Sequence, residues 1–177
     1  MQNPRLLVSL NLSASSIADE SLAEFIEQLL HNSVVKPAQL CFEMSEVSFS
    51  HNLASASRLI ERLRGIGCRI ALDNFGSGLA NFSTLKDLPL DFIKIDGQLI
   101  RNISNDDIDL TMVTAINSMA QLLKIRTIAQ NLDNQSLLER IRSIGIDCAQ
   151  GYYLGYLQPL DSLGSGVHDP GIEFQLN

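Results

Sequence analysis

Short apolar runs alternate along this chain with longer segments in which leucine, isoleucine and phenylalanine recur at helical spacing. Leu6 to Leu12 reads as a buried strand, and Asp19 to Asn32 as an amphipathic helix with Leu22, Phe25, Ile26 and Leu29 on its apolar face. A turn through Lys36-Pro37 leads to a strand at Leu40 to Met44 and a helix from Asn52 to Arg64, closed by Gly65 and Gly67. Arg69 to Leu72 is the next strand, and the polar, glycine-rich stretch Asp73-Asn74-Phe75-Gly76-Ser77-Gly78 ends it abruptly. A helical turn near Ser83 to Leu88 follows, then a strand at Asp91 to Ile95 and a long helix over Asp106 to Leu123. A strand at Ile125 to Ala129, a helix from Asn134 to Ile144 closed by Gly145, and a short strand at Asp147 to Gln150 complete the alternation. Strands separated by helices in this way predict a parallel sheet joined by right-handed crossovers, an α/β fold. Beyond Gly155 the chain reads as an irregular tail, although Gly171 to Leu176 alternates and predicts a short edge strand.

The chain has 177 residues, 45% of them hydrophobic, enough for one domain with a sizeable core but short for a complete eightfold α/β barrel. A net charge of −7 with no clustered basic face argues against binding nucleic acid, while leaving room for a small anionic ligand. No apolar run reaches the roughly 20 residues of a membrane helix, and the N-terminus lacks a signal-peptide pattern, so a soluble cytoplasmic protein is expected. Cys41, Cys68 and Cys148 lie in or beside apolar runs without CxxC spacing, which reads as buried free thiols rather than disulfides or a zinc site.

The candidate chemistry sits at the strand ends. Asn11, Glu43, Asp73, Lys94 with Asp96, Gln130 and Gln150 each fall at or just past the end of an apolar run. In a parallel barrel those ends converge on the face where ligands bind. Any one of them alone reads more readily as a turn residue or cap; the recurrence over six strands is what points to a site. Carboxylates and amides at one mouth suit a cation with oxygen ligands, and a lysine suits a phosphate.

Six short motifs then carry a resemblance in order and spacing: Asn11-Leu12-Ser13, Phe42-Glu43-Met44-Ser45-Glu46, Asp73 to Gly78, Lys94-Ile95-Asp96, Ala129-Gln130-Asn131-Leu132-Asp133, and Gln150-Gly151-Tyr152. Together they resemble the EAL domain family, the cyclic di-GMP phosphodiesterases. The resemblance implies a TIM-like (β/α) barrel of the EAL type. It implies a partial EAL domain over residues 1–177, with the barrel portion at about 4–155 and a tail at 156–177. The family's first strand and helix, with the Glu-Ala-Leu signature, have no counterpart, so the barrel is expected to be incomplete.

The resemblance implies hydrolysis by two divalent cations that activate water and stabilise the transition state. Asn11, Glu43 and Asp73 match ligands of the first metal, whose fourth ligand is the absent signature glutamate. Asn74 and Gln130 stand where the family has carboxylates for the second. Each such exchange removes a negative charge that offsets a dication. Lys94 matches the lysine that positions the attacking water. Glu46 matches the glutamate that pins the glycine loop, with a solvated position after a strand as its plainer reading. Asp133 replaces a glutamate.

From this count the expectation is an inactive domain in which Glu43, Asp73 and Lys94 do no catalysis. No cofactor is required, with Mg2+ or Mn2+ held at most at a weakened, vestigial site of Asn11, Glu43 and Asp73. The ligand-binding set is Asn11, Glu43, Asp73, Phe75, Gly76, Lys94, Asp96, Gln130, Asp133 and Gln150. Within the family the last motif looks most like the FimX-type branch, which implies a cyclic di-GMP receptor in type IV pilus regulation and twitching motility, with a PilZ-domain adaptor and a homo-oligomer as partners. The alternatives are a residually active metal-dependent cyclic di-GMP phosphodiesterase and a nucleotide-independent scaffold.

Overall fold

The structure is a computed structural model that describes residues 7–78, 85–156 and 174–175. The chain forms two compact units, Met1–Phe92 and Ile93–Asn177.

In the first unit, strands β1 (Val8–Leu12), β2 (Leu40–Ser45) and β3 (Arg69–Phe75) lie parallel in chain order. Between β1 and β2 come helices α1 (Ala14–Ala18) and α2 (Leu22–His31); between β2 and β3 come α3 (Glu46–His51) and α4 (Leu53–Ile66). Cys41, Phe42 and Met44 of β2 and Ile70 and Leu72 of β3 are all buried, with Ile17, Phe49, Ile60 and Leu63 from the helices. Each such aliphatic or aromatic side chain contributes on the order of 1.5–3 kcal/mol. At the start of β3, Asp91 accepts from the backbone N–H of Ile70 (2.9 Å) and from Arg64 Nη1 (2.7 Å), which fixes the chain's approach to the next strand.

Two expectations change here. The first strand is not buried: Ser9, Leu10 and Asn11 are exposed, because among the described residues β1 is hydrogen-bonded along β2 alone. The helix predicted over Asp19 to Asn32 is α2, which starts later, at Leu22. Asp19 accepts from the Ser21 N–H and hydroxyl in the turn that precedes it. Packing of α2 on α4 then buries Ala23 and Ile26 and leaves Phe25 and Leu29, at 56% and 55%, exposed. Sequence periodicity also missed α1 and α3, since a helix of one or two turns is too short to show a period. Their starts are marked by serine caps instead: Ser13 and Ser45 accept from the N–H of Ser16 and Ser48.

Strand β4 (Phe92–Ile95) leads into the second unit, which holds α5 (Gly97–Asn102), α6 (Asp107–Leu122), β5 (Arg126–Ala129), α7 (Gln135–Ile144), β6 (Cys148–Ala149) and β7 (Phe174–Gln175). β5 and β6 are parallel, and β7 runs antiparallel to β6, within the edge strand expected over Gly171 to Leu176. A polar network closes the base of β5. Thr127 Oγ1 bonds Asn117 Oδ1 (2.7 Å) and Asp147 Oδ2 (3.1 Å), and the Asn117 amide donates to the Ile144 carbonyl. Residues 83 and 84 of the predicted turn near Ser83 to Leu88 lie outside the described residues, as does most of the tail.

The three cysteines are free and buried, as expected. Burial pushes the Cys68 thiol above its ordinary pKa, so less thiolate is available to react. Native protein at pH 8 should therefore resist alkylation by iodoacetamide at all three positions and react at all three once unfolded. Rapid labelling of the folded chain would contradict this packing.

Candidate functional site

Strand register sets the geometry of the first unit's rim. Asn11 is paired directly with Glu43, and Asp73 lies opposite Ser45, two residues beyond Glu43. Side chains alternate with a period of two, so Asn11, Glu43 and Asp73 share one face of the parallel sheet near its C-terminal edge. Glu43 is 3% exposed, Asp73 is half-buried and Asn11 is exposed, so the donor set runs from interior to solvent.

After Asp73 the chain leaves the strand conformation. Asn74 adopts a left-handed backbone (φ 55°), which asparagine tolerates, and its amide donates to Asp73 Oδ2 at 3.0 Å. Gly76 is also left-handed (φ 99°). Glu46, only 1% exposed, accepts from the backbone N–H of Gly76 (2.8 Å) and Ser77 (3.2 Å) and lies 3.3 Å from the Ser77 hydroxyl. The carboxylate thus pins the glycine loop, and the solvated reading of Glu46 does not hold. Phe75, placed in the ligand-binding set, is 2% exposed and belongs to the core instead. With the strand conformation broken at Asn74, Phe75 turns inward, and among the described loop residues Ser77 and Gly78 are the exposed ones.

In the second unit, Lys94 is buried in β4, and Asp96 accepts from the Gln98 N–H at 2.8 Å as the N-cap of α5. Asp96 therefore serves as a cap, the plainer of its two readings. Gln130 follows β5 and is half-buried. The next residue, Asn131, has a left-handed backbone (φ 56°) and leans on α5 so closely that a Cβ on Gly97 would overlap its amide. Gln150 and Asp133 are exposed. The Gln150 N–H donates to the Ala129 carbonyl and its own carbonyl accepts from Leu132, which ties the end of β5 to the end of β6. Sequence reasoning did not anticipate the Gly97–Asn131 and Gly151–Leu132 contacts or the tyrosines at 152, 153 and 156. The advance signals for the tyrosines are that Tyr152 ends the last of the six motifs and that all three in the chain fall within five residues.

A divalent cation is the group this rim has to be tested against. Among the described residues no three His, Cys, Asp or Glu side chains converge as a metal cluster. The donor set on the sheet face is two carboxylates and an amide, all oxygen ligands. That suits Mg2+ or Mn2+, which commonly take one or two carboxylates and complete their shell with water and substrate phosphate.

A family model for the EAL domain matches residues 1–156. The chain belongs to the EAL domain family. Among similar proteins, cyclic di-GMP phosphodiesterase PdeB of Shewanella oneidensis is 35% identical over 155 residues, 88% of this chain and 18% of that protein. Cyclic di-GMP phosphodiesterase PdeF of Escherichia coli is 36% identical over 152 residues, 86% of this chain and 20% of that protein. The chain thus spans about a fifth of the length of these relatives. The solved PaMucR phosphodiesterase in complex with c-di-GMP superposes with a TM-score of 0.83 at 27% identity, covering 89% of this chain and 64% of that one. The FimX EAL domain from Pseudomonas aeruginosa bound to c-di-GMP gives a TM-score of 0.79 at 27% identity, covering 84% and 61%. The EAL-type α/β fold expected from the motifs is therefore correct.

The expectation that this EAL domain is not an enzyme is overturned. The relatives at 35% and 36% identity are named as cyclic di-GMP phosphodiesterases, and inactivity has no support among these findings. Asn74 is still an amide where the family has a carboxylate, and in the structure it donates to Asp73 Oδ2. Among the described residues no helix is long and apolar enough to cross a membrane.

Proposed function

We propose that this chain forms much of an EAL domain that binds cyclic di-GMP and, with a divalent cation, hydrolyses it to the linear dinucleotide. The observation that carries the reading is the alignment of Asn11, Glu43 and Asp73 on one sheet face at the strand ends. The phosphodiesterase names of PdeB and PdeF support the reaction, and the c-di-GMP in the PaMucR and FimX structures supports the ligand.

Asn11, Glu43 and Asp73 are the residues that would hold Mg2+ or Mn2+, which when bound lowers the pKa of water and offsets charge on the phosphoryl oxygens. The chain's own contribution is positioning. Asn74 holds one oxygen of Asp73, so that carboxylate meets its partners in a fixed orientation. Glu46 neutralises its buried charge with donors from the glycine loop and thereby fixes the loop beside the rim. Lys94 is buried at 5% exposure, a setting in which an ammonium interacts strongly with anionic groups. In the reaction, a water oxygen forms a bond to phosphorus, one ribose oxygen leaves, and the proton lost by water ends on that leaving oxygen. The pilus setting and a PilZ-domain adaptor are supported only by the likeness to FimX.

Isothermal titration with cyclic di-GMP tests the ligand assignment. We expect modest saturable binding without Mg2+, because Glu43 and Asp73 without a cation repel the phosphates by about 1 to 4 kcal/mol per close pair at effective dielectrics between 80 and 20, and with Mg2+ a further heat of ligand turnover. Absence of heat with and without Mg2+ would overturn the reading.

A further inference from the structure

We propose that the open edge of β1 and the uncovered side of α2 form one interface, at which two copies of this chain associate about a two-fold axis, independently of the chemistry at the rim.

The edge is unguarded. Among the described residues β1 is hydrogen-bonded along β2 alone, which leaves a row of backbone N–H and C=O groups along its outer side. Strand edges that stay single are commonly blunted by a lysine, a proline or a bulge, and Val8–Leu12 contains no charged residue and no proline. Leu10 lies in register with the buried Phe42, yet is 41% exposed.

α2 supplies the matching helix surface. Its contact with α4 takes the side of Ala23 and Ile26. At about 100° per residue, Leu22, Phe25, Gln28 and Leu29 occupy a neighbouring arc of about 120°, and none of them is charged. Glu24 and Glu27 project about 100° and 160° round the helix from Phe25, so two such arcs meet without opposing carboxylates. An uncharged centre with an aromatic side chain is what marks the core of a protein interface.

A second copy satisfies both surfaces with one operation, whereas a lone strand or a lone helix would cover only one of them. A two-fold axis normal to the sheet sets β1 antiparallel to its mate about 4.8 Å away, so that each edge completes the other's hydrogen bonds. A crossover helix packs back on the two strands it joins, which for α2 are β1 and β2. That puts α2 about 5 Å from the axis, and α2 and its mate run antiparallel about 10 Å apart, an ordinary distance for packed helices. Phe25 and Leu29 of each copy meet those of the other, and the contact is isologous and closed, which limits assembly to a dimer.

Sedimentation equilibrium of the chain from micromolar to submillimolar concentration tests this. We expect a monomer–dimer equilibrium that Leu10→Lys and Phe25→Glu each shift about a hundredfold toward monomer. Ile108→Glu, at a 72% exposed apolar position on α6, should leave the equilibrium as it is. All three positions are exposed, and circular dichroism identifies the variants that keep the fold. The unaltered chain gives a second reading: amide exchange across β1 should slow as concentration rises, while exchange across α6 stays constant. A monomer at every concentration, an assembly larger than a dimer, a dimer that survives both substitutions in folded variants, a dimer broken by Ile108→Glu, or β1 exchange that ignores concentration would overturn the interface.

Discussion

Glutamine in place of Glu43 lowers the Mg2+-dependent hydrolysis of cyclic di-GMP by about a hundredfold or more while the fold is kept. The side chain is 3% exposed and faces Asn11 across the register of two parallel strands. Glutamine has nearly the same shape, so packing is preserved, yet the rim's two carboxylates become one. A site with a single negative charge offsets a dication poorly. The effect on stability should run in the opposite direction, because a buried carboxylate is costly to desolvate and an amide less so. Thermal stability of the variant should therefore match or exceed that of the parent. Turnover within about threefold of the parent would remove Glu43 from the chemistry, and a collapsed melt would show that its role is structural.

Alanine in place of Gly151 should be the most destabilising single-methyl addition in the second unit. A Cβ there would stand 2.2 Å from both the N and the O of Leu132, and neither is a side chain that can swing away. The backbone must separate, and with it go the hydrogen bonds of Leu132 to Gln150 and of Tyr153 to Leu132. Overpacking together with those bonds costs about 3 kcal/mol, equivalent to a fall in Tm of roughly 6–12 °C for a chain of this size. Gly65 is the matched control. It lies within α4 with nothing within 4 Å of a built Cβ, so Gly65→Ala should be neutral or stabilising by up to about 1 kcal/mol. Equal melting temperatures for the two variants would contradict the close passage at Gly151.

The contrast between these residues shows what the sequence makes visible. Asn11, Glu43 and Asp73 end apolar runs, and a period of two places them on one face once the strands pair in parallel, so that rim was legible. Asn74 was legible as an amide but not as a donor to its neighbour, because that bond depends on the left-handed turn in its own backbone. The short helices α1, α3 and α5 carry no period and are announced only by Ser13, Ser45 and Asp96, residues that read equally well as turn formers. The exposed stripe of Phe25 and Leu29 was assigned to the core because amphipathic spacing gives a helix face but not the neighbour that covers it; α4 takes the face of Ala23 and Ile26. The demand for glycine at 151 was hidden for a similar reason. It arises from a loop 19 residues earlier in the chain, 151 − 132, which no local pattern encodes.

The central claim, that this rim serves a metal-dependent phosphodiesterase, is tested most directly by following cyclic di-GMP with the purified chain by chromatography, in Mg2+ and in EDTA. The account predicts that the linear dinucleotide accumulates in Mg2+, and that EDTA or Glu43→Gln stops it. Cyclic di-GMP left intact in Mg2+ by a folded chain that binds it would contradict the account.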